Sequence, residues 1–339
     1  MTPELLVQSL LQLGLAVRHR VIEVMRAGGE GLARPIRHVG GDMVYELDRH
    51  VEPIIEQTIE SWPEEWKPLL LIAEGLNESG RKRFGSEEEP LRYRLIVDPI
   101  DGTRGLMYDK RPAWFAAAVV PDAGEATGLE QSAAAVLVEL PTTKQGWADA
   151  FLAVRGRPTW GQRSRLDGAE TVDLSPCPSR VPSLLDGFGH IVSFFPGTKV
   201  PAAELMEHIA LVTLGRSQPG QAQVFDDQYI STSGQLVELL VGHDRFCGDL
   251  RPLLQRIGEH GEQASDPGLV CHPYDMAGWL VARQAGVILT DGLGCPLRLP
   301  LDVHHPVHWC GYANAALQAA VQPVIRAWLA ERGLKEEEF

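Results

Sequence analysis

Two aspartates three residues apart, Asp98 and Asp101, stand at the end of the apolar run Leu95-Ile96-Val97, and Gly102-Thr103 follows at once. Pro99 interrupts strand pairing, so a turn can bring both carboxylates to one side of the chain. Two carboxylates so close repel, and one takes up a proton unless a cation sits between them. Hard oxygen ligands of this kind suit Mg²⁺, which keeps several waters and binds phosphate oxygens of a substrate. Gly102 permits close backbone approach, and Thr103 offers a hydroxyl beside the acids. Taken alone, the same pattern also describes an aspartate capping a strand-end turn.

Other carboxylates occupy comparable places. The run Leu70-Leu71-Ile72-Ala73 ends in Glu74-Gly75, and Asp42 and Asp48 lie at the start of a helical stretch. Far along the chain, His272-Pro273-Tyr274-Asp275-Met276-Ala277 opens a further apolar helix.

The elements that must position these groups follow from periodicity. Thr2, Pro3 and Glu4 form a helix start, and Leu6, Leu10, Leu13, Val17, Val21 and Val24 make one apolar stripe that Gly28-Gly29 ends. A second helix is expected across residues 48–62, and strands at 69–73, 95–97, 116–120, 133–140 and 150–154. Residues 79–90, with Gly80, Gly85 and three consecutive glutamates, read as a solvated loop. From 156 to 187 the pattern weakens into Gly, Pro, Ser and Arg, which suggests a boundary between an N-terminal α+β lobe (1–185) and a C-terminal α/β lobe (186–339). In the second lobe a strand at 191–195 and helices at 202–214, 233–241 and 276–284 are expected, with a further strand at 287–290.

Composition excludes several function classes. With 31 Lys+Arg against 45 Asp+Glu the net charge is −14, which argues against binding nucleic acid through its phosphates. No apolar run reaches the roughly 20 residues that span a bilayer, and no basic-then-apolar leader opens the chain, so neither membrane insertion nor export is expected. Five cysteines, odd in number and never spaced C-x-x-C, fit reduced thiols in a cytoplasmic protein.

Together, Asp98-Pro99-Ile100-Asp101-Gly102-Thr103 and the later Tyr274-Asp275-Met276-Ala277 resemble the inositol monophosphatase family, one of the lithium-sensitive Mg²⁺-dependent phosphatases. That family is marked by D-P-[IL]-D-G-[ST] and by W-D-x-A-[AG], the second carrying Tyr274 here in place of Trp. The resemblance implies a layered α-β-α-β-α sandwich in the α/β (α+β) class. It also implies Mg²⁺-dependent hydrolysis of a small phosphate ester, an inositol phosphate or a sugar phosphate. A 3′(2′),5′-bisphosphate nucleotidase and a fructose-1,6-bisphosphatase are the neighbouring readings. A non-catalytic phosphate-binding protein on the same fold is the alternative from another class, against which the intact acidic set speaks.

Carried over by position, Glu74, Asp98 and the carbonyl of Ile100 would hold one Mg²⁺, and Asp98, Asp101 and Asp275 a second. Family members often have two consecutive glutamates where this chain has Glu74-Gly75, so whether the ions number two or three stays open. Thr103 with Glu74 would orient and deprotonate the attacking water, Asp48 would hydrogen-bond Thr103, and the amides of Gly102 and Thr103 would receive phosphate oxygens. Arg37 stands where members often carry Lys, and residues 252–271 look inserted where members position substrate-selecting groups. Homodimers are common in the family.

Substrate contacts are expected from Ser233, Gly234 and Gln235 in the Ser231–Gln235 loop, where Ser233 could equally be a plain helix cap, and from Asp249 and Arg104. Arg104-Gly105 is similar to the Lys-Gly continuation of the nucleotide phosphatases. His304 and His308 have zinc-ligand spacing, but Pro306 keeps them off a shared helix face, and a loop feeding a strand is the better account. The charged residues 335–338 read as a solvated helix end.

Overall fold

Apolar residues recurring every three or four positions produce the first helix, Pro3–Arg26, whose buried face includes Leu6, Leu10, Leu13, Val17, Val21 and Val24. The computed structural model describes residues 2–28, 31–39, 42–77, 79–217, 220–257 and 269–334. The central part of the apparent insertion (258–268) and the acidic tail (335–339) lie outside the described residues, as do the side chains of Arg37 and Asp42.

An eight-stranded sheet carries the first part of the molecule. Its order is Thr171–Leu174, Trp160–Arg165, Trp147–Val154, Ala134–Leu140, Ala113–Pro121, Tyr93–Asp101, Leu69–Ala73, Arg81–Phe84. Every neighbouring pair is antiparallel except Leu69–Ala73 with Tyr93–Asp101, which run parallel. A second sheet of five strands has the order Val224–Phe225, Gly187–Ile191, Asp244–Asp249, Trp309–Tyr312, Ile288–Asp291.

Helices cover both sheets and fill the space between them. On the outer face of the large sheet, Leu10, Leu13 and Val17 of the first helix pack with Phe115, Val136 and Val138. Gly14 allows that closeness, because a Cβ there would lie 2.7 Å from Val138 Cγ2. On the inner face, Trp114, Ala116 and Leu137 meet Leu236 and Leu240 of the helix Thr232–Leu240 and Trp279 and Leu280 of the helix Trp279–Ala285. Those helices rest in turn on Cys247, Leu289 and Trp309 of the small sheet. Its far side, with Phe246 and Tyr312, is closed by helices Lys199–Leu214 and Ala315–Ala330. The layers therefore run α-β-α-β-α, the expected sandwich. Consecutive residues of Ala113–Pro121 face opposite cores, so both faces of that strand are apolar.

Several local expectations need correction. The stretch 48–62 is two helices, Glu46–Arg49 and Glu52–Glu60, with Pro53 inside the first turn of the second, where a missing N–H costs nothing. Residues 79–90 contain the edge strand Arg81–Phe84, and 156–187 contains two strands that extend the large sheet. The strand expected at 191–195 comes earlier, at Gly187–Ile191. Among the described residues, no helix is long and apolar enough to cross a membrane.

Candidate active site

Parallel pairing of Leu69–Ala73 with Tyr93–Asp101 sets Ala73 opposite Val97, so Glu74 and Asp98 leave the sheet side by side at the same end. Pro99 does not end the second strand. Pairing with Ala113–Pro121 resumes at Asp101 opposite Trp114, after an irregularity between Asp98 and Asp101. Within that irregularity the Ile100 amide donates to Asp98 Oδ1 at 3.0 Å. Both aspartates thus turn into the same space.

Gly102 follows at φ 102°, and a Cβ there would come 3.1 Å from Ser231 Cβ and 3.3 Å from the Ile230 carbonyl oxygen. Both conformation and space demand glycine. Thr103 opens a short helix, Thr103–Met107. Its hydroxyl donates to the Ile100 carbonyl at 2.8 Å and stands 3.3 Å from Asp48 Oδ1, while Asp48 Oδ2 accepts the Tyr45 amide at 2.7 Å. Asp48 is therefore fixed in orientation before it meets Thr103.

Asp275 arrives from the other end of the sequence. Its Oδ2 accepts the His272 amide at 2.6 Å, in a turn preceding the helix Trp279–Ala285. Carboxylate oxygens of Asp98, Asp101 and Asp275 lie within 4.8 Å of one another, and among the described residues no other group of acids, histidines or cysteines is so arranged. The Asp302–Cys310 stretch assembles no such group, and His308 Nδ1 accepts the Gly292 amide at 3.0 Å.

Burial pushes Asp98 well above the usual carboxylate range, and the charges of Asp101, Asp275 and Glu74 push it further. Asp101 is raised to about 6 by burial, partly offset by hydrogen bonds from Ser233, Ser231 and Thr232. Such a cluster is held at a cost that a cation between the carboxylates would reverse. The donor atoms are carboxylates and a carbonyl, without thiolate, which is the set a hard divalent ion takes.

The cleft above these acids is lined by Asp48, Glu74, Ile100, Gly102, Thr103 and Arg104 on one side and by Phe194, Phe195, Ser231, Thr232 and Arg251 on the other. Ser231, not Ser233, caps the helix Thr232–Leu240, its side chain accepting the Gly234 amide at 2.9 Å. Ser233, Gly234 and Gln235 lie beneath the cleft and do not line it. The Ser233 amide is bound to Asp101, Gly234 packs against the Tyr229 ring, and Gln235 Nε2 donates to the Tyr229 carbonyl at 2.7 Å. Asp249 is likewise buried, gripping Arg251 through two contacts of 2.8 and 2.5 Å.

Sequence reasoning missed Arg251, Phe194 and Phe195. The Arg251 guanidinium lies 4.8 Å from the Phe194 ring centre, and that of Arg104 lies 5.4 Å from Phe195 and 5.7 Å from Tyr45. The Asp-x-Arg spacing of Asp249 and Arg251 was the one available signal.

No family profile and no curated protein sequence matches the chain. Solved structures do. Extragenic suppressor protein SuhB from Bartonella henselae aligns at TM-score 0.64 and 16% identity, over 95% of this chain and 98% of that one. An IMPase from Thermotoga maritima aligns at 0.57 and 17%, over 95% and 97%. The chain has the inositol monophosphatase fold. Leishmania major fructose-1,6-bisphosphatase, in its holo form, shares it at TM-score 0.65 and 14% identity, over 94% and 93% of the two chains. In this inositol monophosphatase fold the acids stand where the two sheets and the helices between them converge.

Proposed function

We propose that the protein is a Mg²⁺-dependent phosphomonoesterase acting on a small phosphate ester, an inositol or sugar phosphate. One observation carries the reading: three carboxylates from distant parts of the chain share a space of 4.8 Å, beside a threonine hydroxyl held between a carbonyl and a fixed aspartate. Neighbours in fold that are named for inositol monophosphatase and fructose-1,6-bisphosphatase activity support it. The odd number and scattered spacing of the five cysteines support a cytoplasmic setting.

In the proposed site Glu74, Asp98 and the Ile100 carbonyl would hold one Mg²⁺, and Asp98, Asp101 and Asp275 a second. Bound there, the ions would acidify a water and neutralise charge on the phosphate. The chain's own groups do the rest. Thr103 Oγ1 accepts a proton from the attacking water as it passes its own to the Asp48 carboxylate, which stands 3.3 Å away, and Glu74 orients that water. The Gly102 and Thr103 amides face the phosphate oxygens at a helix start. Arg104 and Arg251, the second paired with Asp249, place guanidinium donors on the cleft wall, which favours substrates that carry a second phosphate as the next reading.

Phosphate release from a panel of monoesters, with Mg²⁺ and with EDTA, tests the proposal. Release that requires Mg²⁺ supports it. Binding of Mg²⁺ without release from any ester overturns it in favour of a non-catalytic phosphate-binding protein.

A further inference from the structure

The acidic cleft has a neighbour. Tyr45, Arg104 and Ile230 line it, and the same three residues line a second cavity of about 1060 Å³, part of it open to solvent. Those residues are a sill between two compartments of opposite character. On the far side the walls are chiefly carbon, from Ala33, Pro35, Met107, Tyr108 and Tyr229, with Lys110, Arg111 and Gln228 as the polar exceptions.

This second compartment is firmly built along one side. The Tyr229 hydroxyl donates to the Pro112 carbonyl at 2.8 Å and receives Trp114 Nε1 at 3.1 Å, so its ring cannot turn. Arg111 lies 4.1 Å from the centre of that ring and is itself held by Asp227 through contacts of 2.7 and 3.0 Å. Opposite chemistry stands at the rim, where Tyr108 is 64% exposed at the end of the helix that begins with Thr103. An aromatic ring left in water next to an apolar hollow gains most when a flat apolar group covers it.

We propose that this cavity receives a substituent of the substrate, and that the substrate is a sugar phosphate bearing an aromatic group. The inference rests on the phosphomonoesterase reading of the adjoining cleft. The phosphate sits over the acids, the sugar crosses the sill at Arg104 and Tyr45, and the aromatic group packs on the exposed Tyr108 ring. Arg104, stacked near Tyr45, is the polar contact available to the sugar hydroxyls on the way.

The test compares two esters cleaved at the same sugar 6-oxygen: 2-naphthyl β-glucoside 6-phosphate and methyl β-glucoside 6-phosphate, each with Mg²⁺. The naphthyl ester is expected to show kcat/KM about tenfold higher or more, carried by KM, as burial of one aromatic ring predicts. Tyr108→Ala should remove most of that preference without changing turnover of the methyl ester, and Ala33→Trp, which fills the hollow, should do the same. A preference under about twofold in the wild type, or a Tyr108→Ala effect equal on both esters, overturns the inference. If neither ester is hydrolysed, the panel of monoesters decides the phosphomonoesterase reading, and naphthyl fluorescence decides about the cavity. Saturable binding of the naphthyl ester that both variants weaken supports it, and unsaturable or variant-insensitive binding overturns it.

Discussion

The Asp101 carboxylate accepts the backbone amides of Thr232 and Ser233, residues 131 and 132 positions later in the chain. The end of a strand in the large sheet is thereby tied to the start of a helix in the middle layer. One aspartate serves both as a cation ligand in the proposed site and as the link that brings Ser231 and Thr232 to the cleft wall. Its neighbour Asp98 has no such second duty, which lets the two be told apart by substitution.

Asp98→Asn should separate stability from function. Buried Asp98 is crowded by the charges of Asp101, Asp275 and Glu74. Removing its charge relieves that repulsion, so the metal-free variant should unfold at a higher Tm than metal-free wild type, with a gain of about 1–2 kcal/mol. Mg²⁺ should no longer raise its Tm, and phosphate release should fall by about 10³-fold or more. Calorimetric scans with EDTA and with Mg²⁺ provide the readout.

Asp101→Asn should lose turnover equally while gaining nothing in stability. An asparagine has one carbonyl oxygen to offer where two amides now donate, so its NH₂ group faces one of them. The metal-free variant should therefore lie below Asp98→Asn in Tm, by about 1–3 kcal/mol in stability.

Thr103→Val should lower kcat by about 10²–10³-fold with Mg²⁺ affinity retained, because the hydroxyl moves a proton in the proposed mechanism. Thr103→Ser keeps the hydroxyl and should retain most of the rate. Equal loss in both variants would mean that Thr103 matters only for packing, and single-turnover measurements with Mg²⁺ titrations distinguish the two.

Asp244 supplies a pH signature away from the site. Burial, with Glu238 and Asp227 nearby, raises its carboxyl to about 7 from an ordinary 3.8. The folded state thus holds a proton that the unfolded chain releases, and Asp244 costs stability progressively as pH rises from about 4 to 7. Asp244→Asn should accordingly gain on wild type with rising pH, by on the order of 3 kcal/mol between pH 4 and pH 8. Paired urea unfolding curves across that range, in EDTA, measure the difference.

The chemistry was legible where local pattern and tertiary structure agree. Leu95-Ile96-Val97 reads as a strand and is one, and the two aspartates and Gly102 follow it within a single turn. The first helix was equally plain, since its stripe is continuous from Leu6 to Val24. Trp160–Arg165 and Thr171–Leu174 were not, because these outer strands expose most of their polar residues and owe their form to a neighbour's hydrogen bonds. Ser231 and Ser233 are chemically alike, and only the path of the chain decides which one caps the helix. Arg251 and the Phe194-Phe195 pair owe their place to the approach of segments 55 or more residues apart, so no spacing within the sequence announces them.

The most direct measurement is an anomalous difference map from a crystal soaked in Mn²⁺, a stand-in for Mg²⁺ that scatters anomalously. The expected result is a strong peak bounded by Asp98, Asp101 and Asp275, absent in Asp98→Asn crystals. Saturating Mn²⁺ that leaves the space among those three carboxylates without a peak would contradict the account.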